Sequence, residues 1–398
     1  MIFIAVGTPP LETGEANLCY LEAAARGIGA AIDDARFRVV VNKSTVPVGS
    51  GNLVEALVRE GIQDAHTGDP KSIRFGVASN PEFLREGNAI ADSLYPDRIV
   101  LGAEEERTLQ MLRELYRPLV AQSFEAPAFL PRPAAVAQVP VVTTTLTSAE
   151  MIKYAANAFL AVKIGFANEV ANICERVGAE APEVMTGIGL DARIGARFLN
   201  PGLGWGGSCF GKDIQSLLHT AREYGYRSRL LEAALEVNLA QRQLAIQKLQ
   251  EKLFILKGRT IALLGLAFKP ETDDLRDAPS LQIAERLLQM GARVKAYDPI
   301  AMEACRESYP ALRIQYCVSA EAAAQDADAL VLVTEWKQFA SLDLRGLAKR
   351  MARAILVDGR NLFDPETARQ AGFDYCGIGR PQRAARANGP AVPIPTTS

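Results

Sequence analysis

A single thiol, Cys209, stands in the run Phe198-Leu-Asn-Pro-Gly-Leu-Gly-Trp-Gly-Gly-Ser-Cys-Phe-Gly-Lys-Asp213, behind Gly202, Gly204, Gly206 and Gly207. The run has no apolar period, which makes it a loop, and glycine admits backbone geometry and close ligand approach that a side chain forbids. From Lys212 onward Ile214, Leu217, Leu218 and Ala221 follow a helical spacing, so Cys209 falls just ahead of a helix N-terminus. Unpaired amides and the helix dipole there favour thiolate over thiol. Lys212 adds a positive charge and Asp213 a carboxylate within one turn. These are the parts of a nucleophile for covalent catalysis. A glycine turn around a structural cysteine is the plain alternative, since free cysteine is among the most buried residue types. Packing alone, however, does not require four glycines, a charged pair and a thiol together.

Three other groups could serve such chemistry. Glu82 and Glu86 lie four apart and would share one face of a short helical turn; a solvated acidic face is the alternative. Lys153 and Asn157 also lie four apart, on a segment that is otherwise Ala-rich and apolar. Polar groups on a mostly buried helix need partners, either a ligand or a salt bridge to another helix. Thr45 is either a helix N-cap or a site residue. A weaker candidate is Gly265-Leu-Ala-Phe-Lys269, which follows a strand and echoes the dinucleotide-binding turn with one glycine only. Lys269 and Arg276 beside it suit a phosphate, or equally a solvated surface.

The elements that must position these residues alternate as strand, loop and helix. The continuous apolar run at 2–6 has the pattern of a strand buried on both faces, 37–42 reads as another, and 74–78 and 97–101 as a third and a fourth strand. The first three end in polar, glycine-bearing loops: Gly7-Thr-Pro-Pro, Lys43-Ser-Thr-Val-Pro-Val-Gly-Ser and Ser79-Asn-Pro-Glu-Phe-Leu-Arg-Glu-Gly. Open α/β sheets bind ligands at such carboxyl ends. Helices are expected at 18–31 and 53–58 between them, which makes half of a doubly wound fold. Residues 121–140, rich in Ala and Pro, read as a mobile surface loop. From Ala149 a long helix is expected, with Ile152, Ala155, Phe159, Val162, Phe166 and Val170 as its apolar stripe. Another helical region spans 214–257, broken near Gly225, and helices of that length commonly join domains. A second strand–helix set follows, with strands at 260–264, 294–297, 329–333 and 354–357 and a helix at 280–290. The tail from Pro381 has a disordered composition.

A length of 398 residues suits two or three domains. At 48% apolar and 23% charged residues with a net charge of −2, nothing points to nucleic acid or an anionic membrane surface. The opening Met1-Ile-Phe-Ile-Ala-Val is too short for a membrane span and lacks a basic leader. The six scattered cysteines make neither a disulfide framework nor a zinc site. Only His66 and His219 are available, so a histidine-based metal site or a Ser-His-Asp triad is excluded as a design. The expected setting is cytoplasmic, with reduced thiols and no metal.

Six segments in order then resemble the UDP-glucose/GDP-mannose dehydrogenase family. They are Val6-Gly-Thr-Pro, Ser44-Thr-Val-Pro-Val-Gly, Asn80-Pro-Glu-Phe-Leu-Arg-Glu-Gly, Glu150-Met-Ile-Lys-Tyr-Ala-Ala-Asn, Gly206-Gly-Ser-Cys-Phe-Gly-Lys-Asp and Gly265-Leu-Ala-Phe-Lys. The resemblance covers nearly the whole chain to about Arg380. It implies two Rossmann-like parallel-sheet domains, at 1–135 for NAD and 257–380 for the UDP-sugar. A central helical, dimerising domain at 136–256, with a long connecting helix, would join them, leaving a tail at 381–398. The implied reaction is a four-electron oxidation of UDP-glucose to UDP-glucuronate, using two NAD⁺ and one water. Cys-Phe after Gly-Gly-Ser resembles the UDP-glucose branch, whereas GDP-mannose enzymes more often carry Cys-Leu and the N-acetylmannosamine branch has His in place of Ser208.

By the same resemblance Cys209 captures the aldehyde and carries a thioester. Lys153 would stabilise the oxyanion at the sugar's C6, with Asn157 near the same carbon. Asp213 would orient water or act as base, while Glu82 and Thr45 assist proton transfer and hydrolysis. Gly7, Thr8, Pro9, Thr45 and Glu86 would border the cofactor, with Arg276 approaching it from the third domain. Glu82, Phe83, Leu84, Lys153, Asn157, Phe198, Gly206, Lys269 and Arg360 would line the nucleotide-sugar site, and Arg193 would reach the site of a neighbouring subunit. The expected assembly is a homodimer or higher homo-oligomer.

One departure bears on the cofactor. The family begins with a strand and a Gly-x-Gly-Tyr-Val-Gly turn, then an acidic residue closing the second strand; this sequence has neither, and its first residues match the fourth strand. About eighty residues of the dinucleotide-binding half are therefore expected to be absent, with weakened NAD⁺ binding and a bare apolar edge at residues 2–6. The alternatives kept beside the UDP-glucose reading are a dehydrogenase of GDP-mannose or another nucleotide-sugar, and a catalytically silent nucleotide-sugar-binding remnant.

Overall fold

In the computed structural model, the structure describes residues 1–11, 13–33, 35–65 and 72–381. The expected disordered tail lies outside the described residues, apart from Pro381. In chain order the elements are β1 (Ile2–Ile4), α1 (Cys19–Ala31), β2 (Arg38–Asn42), α2 (Ser50–Ala65), β3 (Phe75–Ser79), α3 (Ala89–Leu94), β4 (Ile99–Ala103), α4 (Glu106–Val120), β5 (Val141–Thr144), α5 (Leu146–Val177), α6 (Ala181–Gly189), α7 (Phe210–Glu223) and α8 (Arg229–Leu253). They continue with β6 (Thr260–Leu264), α9 (Pro279–Gln289), β7 (Arg293–Tyr297), α10 (Met302–Ser308), β8 (Gln315–Tyr316), α11 (Ala320–Ala324), β9 (Ala329–Leu332), α12 (Leu344–Arg350), β10 (Ile355–Asp358), α13 (Pro365–Gln370) and β11 (Asp374–Gly377).

Two compact units result. The first comprises Met1–Val162 and Ser208–Ala233, the second Lys163–Gly207 and Ala234 onward. The boundaries fall inside α5, inside α8 and at the Gly207–Ser208 peptide bond.

The first unit holds a five-stranded sheet in the order β1-β2-β3-β4-β5. All neighbours run parallel except β3 and β4, which pair antiparallel through Ala78–Ala103 and Ser79–Gly102. The buried runs read from the sequence show why this sheet is covered twice. On β2, Val40 faces a core with Leu21, Ala25, Val54, Leu57 and Val58 of α1 and α2. Val39 and Val41 face the other core, with Leu109 and Leu112 of α4. Alternate side chains of one strand thus feed two apolar layers, as the period of two requires. β1 lies at the edge of this sheet, and Phe3 is 41% exposed there.

The second unit carries six strands in the order β11-β10-β9-β6-β7-β8, all parallel. Residues of β6, β9 and β10 are central to its large core, together with Leu203, Ala245 and Leu249, and Ala167, Met185 and Leu199 form a smaller cluster. The expected α/β class with Rossmann-like sheets and a central helical region is what the chain adopts; the antiparallel β3/β4 pair makes the first sheet mixed.

Several expectations are corrected. The proposed apolar stripe of α5 points outward in part, with Phe159 66% and Phe166 52% exposed. The buried face uses Ala149, Lys153, Tyr154, Ala158 and Ala161 instead. Small residues let α5 lie close to its neighbours, and periodicity of bulky side chains does not see that choice. Glu82 and Glu86 share no helical turn, because residues 80–88 form no helix. The loop at 121–140 is fastened rather than loose: Arg132 donates to Gln122 Oε1 at 3.1 Å and to the Phe124 carbonyl at 2.7 Å, and the Tyr95 hydroxyl to the Leu130 carbonyl at 2.8 Å. The break expected near Gly225 in the helical region 214–257 is there: its φ is 73°, and it parts α7 from α8.

The carboxyl ends of β1, β2 and β3 are tied into one rim. The Ser44 hydroxyl accepts from the Val6 amide at 2.9 Å and donates to the Val6 carbonyl at 2.8 Å. Glu150, 4% exposed on α5, accepts from the Gly49 and Gly51 amides at 2.7 Å each and from the Ser79 hydroxyl at 3.1 Å. Its carboxylate thereby caps the start of α2. Burial pushes this carboxyl above the usual range, and its three hydrogen bonds oppose that shift. Glu150→Ala leaves two interior amides without acceptors, and it is expected to destabilise the first unit by about 1–3 kcal/mol. A denaturant titration reads this as a lowered midpoint; an unchanged midpoint would remove the capping role.

Candidate active site

Lys153 enters the first unit from α5 with only 4% of its surface exposed. Its ammonium donates to the Glu82 carbonyl at 2.6 Å and to Glu82 Oε1 at 2.9 Å. The other carboxylate oxygen, Oε2, accepts from the Leu84 amide at 2.6 Å. Between them Phe83 places its ring centroid 3.7 Å from the Arg98 guanidinium and 5.4 Å from the Lys153 ammonium. The partner of Lys153 is therefore a loop carboxylate, presented by the irregular stretch after β3, where the sequence reading offered a ligand or another helix.

One turn further along α5, Asn157 Nδ2 donates to Asp213 Oδ2 at 2.6 Å. Lys212 Nζ donates to Asp213 Oδ1 at 2.6 Å, and Asp213 is 1% exposed. Lys212 is thus committed to Asp213, where the sequence suggested a charge for the thiol. Asp213 sits in the first turn of α7, and Cys209 is the N-cap of that helix. The sulfur is exposed and 3.6 Å from Ser208 Oγ, whose hydroxyl donates to Glu86 Oε1 at 3.3 Å. Of the six cysteines only Cys19 and Cys209 are exposed. Burial raises the thiol pKa of Cys305 and Cys317 and pushes Cys376 up to about 11, so these stay protonated.

Thr45 meets the Gly7-Thr-Pro loop through its carbonyl, which accepts from the Thr8 hydroxyl at 2.7 Å. A cavity of about 10 Å³ lies among Asn42, Ser44, Thr45, Ser79, Glu150 and Lys153, the volume of one water. The first unit therefore holds three sets of contacts: Lys153 with Glu82, Phe83 and the Thr45-lined cavity, Asn157 with Asp213, and Glu86 with Ser208 next to Cys209. Four neighbours carried no role in the sequence reading. Lys43 Nζ donates to Asn80 Oδ1 at 2.9 Å, the same oxygen accepts from the Tyr116 hydroxyl, and Arg98 lies over Phe83. Lys43 and Asn80 stand inside the motifs, whereas Tyr116 and Arg98 have no local signal.

In the second unit the glycine run has a packing reason. A Cβ on Gly206 would stand 2.3 Å from the Asp277 carbonyl oxygen, and one on Gly207 2.8 Å from the Phe268 ring. Both distances are shorter than any side chain tolerates, so these two glycines fit protein backbone and ring closely. Arg242, 1% exposed, braces the same stretch: it donates to both Asp277 carboxylate oxygens at 2.7 and 2.8 Å and to the Trp205 carbonyl at 2.7 Å. Arg360 donates to the Val333 carbonyl at 2.7 Å and to the Gly204 carbonyl at 2.9 Å, so its guanidinium braces this run as well. Lys269 lies 5.4 Å from the Phe268 centroid, and Arg276 pairs with Asp274 at 2.7 Å. Arg193 pairs with Asp191 at 2.6 Å and is 89% exposed at its side chain; Phe198 takes a positive φ of 64°.

Comparison with known proteins agrees with these motifs. The UDP-glucose/GDP-mannose dehydrogenase family's NAD binding domain matches residues 1–120, its central domain 147–240 and its UDP binding domain 262–365. UDP-glucose 6-dehydrogenase TuaD of Bacillus subtilis is 45% identical over 381 residues, which is 96% of this chain and 77% of that protein. UDP-glucose 6-dehydrogenase of Pseudomonas aeruginosa is 45% identical over 388 residues, 96% of this chain and 81% of that protein. Among solved structures, a UDP-glucose dehydrogenase from Pyrobaculum islandicum superposes with a TM-score of 0.81 at 39% identity, covering 95% of this chain and 79% of that one. The NAD binding domain match from residue 1 gives no support to the expected loss of half that domain, nor to the silent-remnant reading. No helix among the described residues is long and apolar enough to cross a membrane. The chain belongs to the UDP-glucose/GDP-mannose dehydrogenase family.

Proposed function

We propose that this chain is an NAD-dependent UDP-glucose 6-dehydrogenase that forms UDP-glucuronate through a thiohemiacetal and a thioester on Cys209. The observation that carries the reading is an exposed sulfur at the start of α7, in the same compact unit as the buried Lys153–Glu82 pair and the Asn157–Asp213–Lys212 chain. The 45% identity to UDP-glucose 6-dehydrogenases favours that sugar over GDP-mannose. The matched segments lie within a division into 1–135, 136–256 and 257–380 for NAD, helical and UDP-sugar domains.

At the carboxyl ends of β1 and β2 a Cβ on Gly7 or Gly49 would meet nothing within 4 Å. Gly7, Thr8, Pro9, Thr45 and Glu86 would hold NAD there. When bound, NAD accepts a hydride at each of the two oxidations. For the sugar, Phe83, Leu84 and Asn157 would contact the glucosyl group, while Phe198, Gly206, Lys269 and Arg360 hold the nucleotide side. Arg193 would extend to a second copy in a homodimer or higher oligomer.

The chain's own groups have separable tasks. Cys209 Sγ adds to the C6 aldehyde, forming a C–S bond while the carbonyl electron pair moves to oxygen. Lys153, an interior ammonium, stabilises that oxyanion. After the second oxidation a water attacks the thioester carbon, the C–S bond breaks and sulfur leaves as thiolate. Asp213 or Glu82 takes the water's proton, and Thr45 orients the water.

The direct test is NADH formation with UDP-glucose, expected at two NADH per sugar; no NADH, or turnover confined to GDP-mannose, would sink the reading. Cys209→Ala should stop UDP-glucuronate from accumulating and leave product analysis at the aldehyde stage. Undiminished UDP-glucuronate in that variant would rule out the covalent route. Lys153→Met is expected to lower kcat by about 10²–10³-fold, read in a steady-state assay; a change confined to KM would assign Lys153 to binding alone.

A further inference from the structure

Lys43 has no task in the chemistry above, yet its surroundings are as constrained as those of Lys153. It follows β2 directly, and its amide donates to the Ile4 carbonyl at 2.8 Å. Its ammonium donates to Asn80 Oδ1 at 2.9 Å and stands 6.0 Å from the Tyr116 ring centroid. Asn80, 1% exposed, is held on every side: Oδ1 also accepts from the Tyr116 hydroxyl, Nδ2 donates to the Val100 carbonyl at 2.8 Å, and the backbone amide donates to the Asn42 carbonyl at 2.9 Å. Two residues after Asn80 comes Glu82, the carboxylate that meets Lys153.

We propose that Lys43 is a positioning residue of this site, fixing the Asn80-Pro81-Glu82 stretch through Asn80 and placing a second positive charge in the field of the Glu82–Lys153 pair. The inference rests on the function proposed above. Burial lowers the Lys43 pKa from 10.5 to about 8. The Glu82 carboxylate opposes that fall and the Lys153 ammonium adds to it. A further titratable neighbour, Tyr116 of α4, is pushed up to about 12 by burial and stays neutral. An apolar side chain of the same length would fill the space without the desolvation penalty of an ammonium. Retaining a lysine is therefore explained by its charge and its hydrogen bond to Asn80.

The sign of the coupling sets the expected behaviour. Below about pH 8 Lys43 is charged and Glu82 faces two cations; above it one cation is lost. The wild-type pH–kcat profile is then expected to fall on its alkaline side near that value. Lys43→Met should lower kcat about tenfold or more with KM for UDP-glucose within twofold, and should lack that alkaline limb. Lys43→Gln keeps a donor for Asn80 without the charge; it should recover thermal stability but not the limb.

A second readout does not depend on turnover. In protein carrying ¹³C at the lysine ε-carbons, one resonance absent from Lys43→Gln should titrate near pH 8. Its midpoint should rise in Lys153→Met and fall in Glu82→Gln. A Lys43 resonance that titrates at the ordinary lysine value, or whose midpoint ignores both substitutions, overturns the proposal even if the wild-type enzyme turns over UDP-glucose normally. A kcat for Lys43→Gln within twofold of wild type, with its alkaline limb retained, overturns it equally. If the wild type does not oxidise UDP-glucose at all, the function proposed above fails, while the resonance still decides whether the three charges are coupled.

Discussion

An ammonium removed from water must find fixed oxygen atoms, and in the first unit Lys153 finds them on Glu82. The consequences spread from that requirement. The stretch after β3 cannot be helical, because both the carbonyl and the carboxylate of Glu82 must turn toward α5. Asn80 must be immobilised so that Glu82 arrives there. The small side chains of α5 must bring its backbone close enough for a lysine to reach. Isolated buried charges are severely penalised, whereas a paired and hydrogen-bonded one is tolerated. A site built on such a pair is rigid because any displacement leaves a charge unsatisfied.

The same logic extends around the thiol. Lys43, Lys153 and Lys212 stand with Glu82, Glu86 and Asp213, three cations and three carboxylates among the polar groups of the first unit. Each carboxylate accepts from a defined donor: Glu82 from Lys153, Glu86 from Ser208, Asp213 from Lys212 and Asn157. A substrate hydroxyl or carbonyl entering this set exchanges one hydrogen bond for another and adds no net charge. Preorganised donors of this kind stabilise charge that develops during reaction without having to reorient. The exposed Cys209 sulfur differs in kind from the buried thiols of Cys305, Cys317 and Cys376, whose surroundings disfavour ionisation.

The sheets were legible in the sequence because strands buried on both faces carry a dense apolar signal. The runs at 38–42, 75–79, 99–103 and 260–264 stand within two residues of where their composition places them. The motifs located Cys209, Lys153, Asn157, Asp213 and Glu82, since each stands in a short ordered segment. What periodicity could not supply was orientation. Phe159 and Phe166 on α5 carry the bulk expected of a core and face outward, while Ala149, Ala158 and Ala161 are buried. β5 escaped notice because Val141–Thr144 is short and half exposed, and it is held by parallel pairing to β4. Tyr116 and Arg98 were invisible for a different reason: their roles arise from contacts with Asn80 and Phe83, distant in sequence.

The glycine run shows how one signal can have two physical origins. Glycines before a reactive thiol suggest space reserved for a ligand, yet Gly206 and Gly207 abut the Asp277 carbonyl and the Phe268 ring. Arg242 and Arg360 then hold the carbonyls of Trp205 and Gly204. That bracing belongs to the second unit, whereas Ser208, Cys209 and the first turn of α7 belong to the first. A single continuous motif therefore joins two unlike tasks at the Gly207–Ser208 bond, with backbone packing before it and polar chemistry after it. Substituting a glycine in this run would act first on packing within the second unit, so a resulting loss of activity would not by itself place that glycine against a substrate. Distinguishing the two needs a variant that leaves the glycines alone and changes only the sulfur.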